Sequence, residues 1–137
     1  MKIAVLGYGT VGSGVVEVLD VNQKLIASRA KEEIEVKYVL DLRDFPGDKI
    51  QEKIVHDYEI ILNDPEIGIV VEVMGGVEPA NTFVRKALEA GKSVVTSNKA
   101  LVAKHGSALL KTAREKNVNF LFEASVGGGI PILRALG

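Results

Sequence analysis

The sequence predicts an α/β fold, a doubly wound parallel sheet with helices on both faces. Three observations predict it. Short apolar runs alternate with stretches of helical periodicity over all 137 residues, the pattern of strands joined by crossover helices. One run, Ile69-Val70-Val71-Glu72-Val73-Met74, is almost continuously apolar, as a central parallel strand covered on both faces must be. The unusual residues, namely the glycine clusters, Asp41 and Thr96-Ser97-Asn98-Lys99, all follow the C-terminal ends of expected strands. That is the edge where open parallel sheets hold ligands.

Taken in order, Ile3-Ala4-Val5-Leu6 is the first strand and breaks directly into Gly7-Tyr8-Gly9-Thr10-Val11-Gly12. Val11, Val15, Leu19 and Ile26 then recur at helical spacing with polar residues between them, so one amphipathic helix runs to about Ala30. The β-branched and aromatic stretch from Ile34 to Leu40 is a second strand, closed by Asp41 and a loop containing Pro46-Gly47. From Ile54 a short strand or turn precedes a short helix around Tyr58 to Asn63, which Asp64-Pro65 ends. The apolar run from Ile69 to Met74 stops at Gly75-Gly76. Pro79 suits the first turn of a helix carrying Phe83, Val84, Ala87 and Leu88, and Gly91 is its C-terminal stop. Ser93 to Thr96 is the next strand. Ser97 and Asn98 are good caps for a helix from about Lys99, which Gly106 is expected to break before a second helix carrying Leu109, Leu110 and Ala113. Asn119 to Glu123 is a last strand, opening into Val126-Gly127-Gly128-Gly129 and an apolar stretch from Ile130 to Leu136.

Composition narrows the function. The length suits one domain. The 17 basic and 18 acidic residues nearly cancel, and no basic cluster interleaved with aromatics marks a nucleic-acid footprint, so a small-molecule partner is expected. Without cysteine there is no disulfide framework, thiol nucleophile or thiolate metal site, which fits a cytoplasmic protein. His56 and His105 stand apart in sequence and read as surface residues rather than metal ligands. No run approaches membrane-spanning length, and the first apolar run is too short for a signal peptide. A soluble, unprocessed protein is expected.

The candidate chemistry lies at the strand ends. In the glycine turn Gly7 permits the tight bend, Gly9 lets backbone approach a pyrophosphate, and Gly12 allows the helix to pack closely on the strand. The helix N-terminus would aim unpaired N–H groups at the phosphates, so this is a dinucleotide-binding turn. Asp41 ends the second strand, where a carboxylate accepts hydrogen bonds from ribose hydroxyls; it lies further past Gly12 than the roughly 20 residues of the simple fingerprint because the intervening helix is long. A carboxylate there favours NAD, whereas Arg43 could accept the 2′-phosphate of NADP, so the two pull in opposite directions. Lys99, in a first helical turn, faces the positive end of the helix dipole, where cations are disfavoured and release of a proton is helped; the alternative is a solvated lysine whose head swings into water. Glu123, ahead of three glycines, could be a substrate-side carboxylate or the start of a loop whose carbonyls ligate a cation; the plainer alternative is that Gly127 to Gly129 only turn the chain into the next helix. Glu72 and Glu89 read as a strand residue and a helix-surface residue, without a role.

Four segments carry a resemblance: GYGTVGSG, VVEVMGG, GKSVVTSNKALVAKHG and FLFEASVGGGIPILRAL. Together they resemble the N-terminal nucleotide-binding domain of homoserine dehydrogenases, over essentially the whole chain, and the last two are far more specific than the glycine turn. The resemblance implies a Rossmann-like fold over residues 1–137 and a C-terminal substrate and dimerisation domain absent from this chain. It implies reversible hydride transfer between NAD or NADP and aspartate 4-semialdehyde, giving homoserine in the threonine and methionine branch, by an enzyme that is a homodimer when whole. It implies Lys99 as the acid that protonates the carbonyl oxygen. Cofactor contacts are implied at Gly7, Gly9, Thr10, Val11, Gly12, Asp41 and Arg43, with Met74, Gly75, Thr96, Ser97, Asn98 and Lys99 on the nicotinamide side. Backbone carbonyls of Glu123, Val126 and Gly128 are implied to hold a sodium or potassium ion. The isolated chain would then bind cofactor with little or no turnover. A stand-alone NAD(P)-binding module, or a reductase of another amino-acid semialdehyde, are the alternatives at this point.

Overall fold

The computed structural model describes residues 2–7, 35–41, 43, 44, 46, 47 and 49–122. The helix expected over 11–30 and the cation loop after Phe122 lie outside these residues. In chain order the elements are β1 (Lys2–Leu6), β2 (Glu35–Leu40), a 3-10 turn (Lys49–Lys53), β3 (Ile54–Val55), α1 (Tyr58–Leu62), β4 (Ile67–Glu72), α2 (Ala80–Glu89), β5 (Ser93–Thr96), α3 (Lys99–Glu115) and β6 (Phe120–Phe122).

All six strands pair in parallel in the order β3-β2-β1-β4-β5-β6. The chain therefore winds outward from β1 in one direction and, after β3, returns to the other side of β1 and winds outward again. The strand order reverses between β1 and β4, which opens a crevice at their C-terminal ends. This is the doubly wound, Rossmann-like arrangement expected.

Both faces of the sheet are apolar because the central strands alternate. Ala4, Leu6, Val70 and Val94 pack on one face with Val84, Ala87 and Leu88 of α2 and Leu101, Leu109 and Ala113 of α3. Ile3, Val5, Ile69, Val71 and Val95 form the other face, where Ile50 of the 3-10 turn joins them. Each fully buried aliphatic side chain contributes roughly 1.5–3 kcal/mol relative to exposure, so the sheet is held from both sides.

The helix ends follow local chemistry. At the end of α2, Gly91 takes φ +84°, its N–H reaches Leu88 O and the Lys92 N–H reaches Ala87 O. This is the glycine stop expected there. Pro79 occupies the N-cap position, one residue ahead of the expected first turn. The expected break at Gly106 does not occur, and α3 runs unbroken from Lys99 to Glu115. Gly106 is buried on the packed face, and the nearest atom to a Cβ there would be Cγ1 of Val102, one turn earlier in the same helix, at 3.2 Å; the propensity cost of about 1 kcal/mol is one a seventeen-residue packed helix tolerates. The actual stop is Asn117 at φ 58°, with Val118 N–H bonded to Ala113 O. Of the residues this segment carries, Leu109 and Ala113 are buried and Leu110 is exposed.

The N-terminal edge of the sheet is tied by charge. Lys37 of β2 pairs with Asp64 and Glu66 in the turn before β4, and the buried Lys92 ammonium donates to the carbonyls of Asp64 and Ile67 at 2.8 Å each. The Lys37 ammonium, helped by the Glu66 backbone N–H, holds the Asp64 carboxyl down from its ordinary 3.8 to about 2. A carboxyl lowered in the folded state contributes stability fully above its ordinary value and loses it as pH falls towards about 2. Lys37→Met is expected to lower stability at neutral pH and to flatten the decline between about pH 4 and pH 2, read as denaturant midpoints across that range. Wild-type and variant curves that run parallel would show that the pair does not couple to folding.

Candidate functional site

At the C-terminal edge, a cleft of about 500 Å³ opens where the strand order reverses, lined by Gly7, Leu40, Asp41, Arg43, His56, Tyr58, Val73, Met74, Pro79 and Phe83. It draws its walls from the segments following β1, β2, β3 and β4.

Gly7 is its floor. The residue takes φ +97°, its N–H donates to Leu40 O at 2.8 Å, and a Cβ would sit 3.2 Å from Met74 Cγ and 3.4 Å from Met74 Cα. Glycine is required here for the left-handed backbone, and a larger residue would also press on the Met74 side chain.

Asp41 continues the ladder beyond β2, its N–H reaching Val55 O. Its side chain is 9% exposed, and its carboxylate accepts from the Arg43 backbone N–H at 2.9 Å and from Arg43 Nε and Nη2 at 3.1 Å each. The two residues that sequence reading sets in opposition are thus paired with each other. The Arg43 guanidinium remains largely exposed at the cleft mouth.

His56 was expected to be a surface residue, and its ring is exposed, yet both nitrogens are engaged. Nδ1 lies 2.6 Å from Asp41 O and Nε2 lies 2.9 Å from Asp44 Oδ1. The Asp41 carbonyl first, then the Asp44 carboxylate, raise the pKa of the ring. The histidine pins the loop after β2 to the end of β3, a role invisible in sequence because its partners lie 12 and 15 residues away. Opposite, the Tyr58 and Phe83 rings pack at a 41° tilt with centroids 4.5 Å apart, and the Tyr58 hydroxyl donates to Phe83 O at 2.7 Å. With Pro79 they give the cleft an apolar wall of the kind a flat heteroaromatic base packs against.

The remaining expected site residues stand beside this cleft at the ends of β4 and β5. Met74 and Gly75 follow β4, with Gly75 at φ +79°. Thr96 ends β5 and is fully buried. Asn98, rather than Ser97, caps α3 by accepting from Leu101 N–H, and its Nδ2 donates to Gly76 O. Lys99 is exposed in the first turn of α3. Gly9, Thr10, Val11, Gly12, Glu123, Val126 and Gly128 lie outside the described residues. Among the described residues no group of three or more His, Asp or Glu could hold a metal ion, and no helix is long and apolar enough to cross a membrane.

The residues fit an adenine dinucleotide: a glycine at positive φ under the crevice, an acidic residue at the end of β2, an aromatic wall and a polar second half. Fold and site together define a nucleotide-binding α/β domain of the dehydrogenase type. Residues 7–123 match the family model described as homoserine dehydrogenase, NAD binding domain, and the chain belongs to that family. It is 44% identical to a homoserine dehydrogenase of Lactococcus lactis over 99% of this chain and 33% of the relative. A crystal structure of Staphylococcus aureus homoserine dehydrogenase superposes with a TM-score of 0.83 at 40% identity, over 90% of this chain and 32% of the other. A hyperthermophilic archaeal homoserine dehydrogenase mutant in complex with NADPH superposes with a TM-score of 0.66 at 26% identity, over 91% of this chain and 44% of the other. The chain spans about a third of the length of the curated relatives it matches.

Proposed function

We propose that this chain is the cofactor domain of a homoserine dehydrogenase, holding NAD or NADP for the reduction of aspartate 4-semialdehyde to homoserine. The observation that carries the reading is the meeting of Gly7, Asp41, Arg43 and Met74 in one cleft at the strand-order reversal. The bound nucleotide supplies the hydride donor or acceptor. This chain's residues do the rest: Asp41 and Arg43 receive the adenosine ribose, Tyr58, Pro79 and Phe83 pack the base, and Met74, Gly75, Thr96, Ser97 and Asn98 border the nicotinamide. Lys99 gives the proton to the carbonyl oxygen. Backbone carbonyls of Glu123, Val126 and Gly128 would hold a sodium or potassium ion. The substrate pocket and the contacts of a homodimer belong to the part of the relatives that this chain does not span, and the enzyme works in the cytoplasm.

The test is calorimetry of the chain with NAD and with NADP, repeated on Asp41→Ala. At least one nucleotide is expected to bind. Removing Asp41 takes away the ribose acceptor and the carboxylate that would repel a 2′-phosphate beside Arg43, so the ratio of NADP to NAD affinity is expected to rise about tenfold or more. Failure of both nucleotides to bind the wild-type chain would overturn the reading.

A further inference from the structure

Glu72, the last residue of β4, is a fully buried carboxylate in a strand whose other inward residues are aliphatic. Removing a carboxylate from water is costly unless its oxygens are well partnered, and an aliphatic residue would fill the position more cheaply. Among the described residues no cation pairs with it. Its partners are instead the two turns that border the second half of the crevice. Oε2 accepts from the Met74 backbone N–H at 2.7 Å, and Oε1 accepts from the Thr96 hydroxyl at 2.7 Å. The Thr96 oxygen accepts in turn from the Asn98 backbone N–H at 2.9 Å. Asn98 then closes the circuit, its Nδ2 donating to Gly76 O, while the Glu72 carbonyl takes the Ser97 N–H at 3.3 Å.

We propose that Glu72 is a positioning residue for the nicotinamide: its carboxylate locks the turn 73–76 to the turn 96–98, so that both present one fixed set of groups to the ring. Being acceptor-only, a carboxylate satisfies a donor on each side, the Met74 N–H and the Thr96 O–H. Glutamine, of nearly the same shape, cannot, because its NH2 must face one of those donors. Either the Met74 turn then moves away, or the Thr96 hydroxyl proton must turn aside and loses the acceptor that Glu72 gives it. The adenosine half of the cleft, at Asp41, Arg43, His56, Tyr58 and Phe83, has no bond in this circuit. The inference rests on the cofactor reading above and deepens it.

The experiment splits the nucleotide. NADH and NADPH carry the reduced ring, whereas ADP-ribose and 2′-phospho-ADP-ribose carry only the adenosine half. In Glu72→Gln, binding of the better reduced nucleotide is expected to weaken about tenfold, and the emission of the bound nicotinamide to return towards that of the free form. Binding of the matching fragment should stay within about twofold of wild type. Thr96→Val breaks the circuit at its middle and should reproduce the pattern, while Thr96→Ser, which keeps the hydroxyl, should restore it. Circular dichroism checks that each variant is folded, and if Glu72→Gln is not, the Thr96 pair decides. Equal losses for dinucleotide and fragment, or no loss for either, would overturn the role of Glu72. A wild-type chain that binds the fragments and the dinucleotides leaves the cofactor reading standing in both cases; one that binds none of the four overturns that reading and this inference with it.

Discussion

Gly7→Val is expected to abolish nucleotide binding and to destabilise the fold by about 2–5 kcal/mol. Two penalties combine. A β-branched residue is forced to a left-handed φ of +97°, which costs roughly 1–3 kcal/mol. Its Cβ also meets Met74 Cγ at 3.2 Å, so the Met74 side chain must shift by a few tenths of an ångström, while Met74 Cα at 3.4 Å is in ordinary contact; the two further methyl groups of valine add crowding against the same turn. Gly7→Ala separates the penalties, being strained in the backbone with the smallest clash, and should lie between. Denaturant unfolding and calorimetry on the same samples check both effects. A valine variant that binds NAD or NADP as tightly as wild type would remove Gly7 from the floor of the site.

Lys99 carries the second large effect. With this domain joined to the remaining two thirds of a relative such as the Lactococcus lactis homoserine dehydrogenase, Lys99→Met is expected to lower kcat for aspartate 4-semialdehyde reduction by about 10²–10⁴. Nucleotide affinity should change only a few fold, because the lysine head is exposed at the first turn of α3 and the network at Asn98 does not pass through it. Lys99→Arg is the sharper probe: it keeps the positive charge but cannot release a proton near neutral pH. If Arg restores turnover, Lys99 acts by charge alone; if Arg is as poor as Met, it acts as the acid. A loss in Lys99→Met of less than about tenfold would exclude a proton-transfer role.

The parts of the site legible in sequence are those whose chemistry is local. Gly7 and Gly91 announce themselves because a left-handed backbone selects glycine, and Asn98 because a helix N-terminus selects a side-chain acceptor. The run ending in Met74 is recognisable from its apolar continuity, although the strand itself spans Ile67–Glu72 and the last two residues form the turn beyond it. What stayed hidden depends on partners distant in sequence. Glu72 reads as an ordinary strand residue until Thr96 is placed beside it by the pairing of β4 with β5. His56 stands apart in the chain yet bridges two segments, and the Tyr58 and Phe83 rings, 25 residues apart, become one wall only after α1 and α2 pack together. Gly106 misleads for the opposite reason: local propensity marks it as a breaker, whereas a long helix buried against the sheet absorbs one glycine.

The strand order also sets a timetable for synthesis. β1 takes its place between β2 and β4, pairing Lys2 with Glu35 on one side and with Ile67 on the other. Once made, β1 therefore waits with one edge open until some sixty-five residues more have emerged, and such distant pairings are slow to close. The cleft waits longer still, since Pro79 and Phe83 complete its wall. A nascent chain arrested before that point would display the glycine turn without a nucleotide site, and an exposed β1 edge would be its main hazard for mispairing with a neighbouring copy.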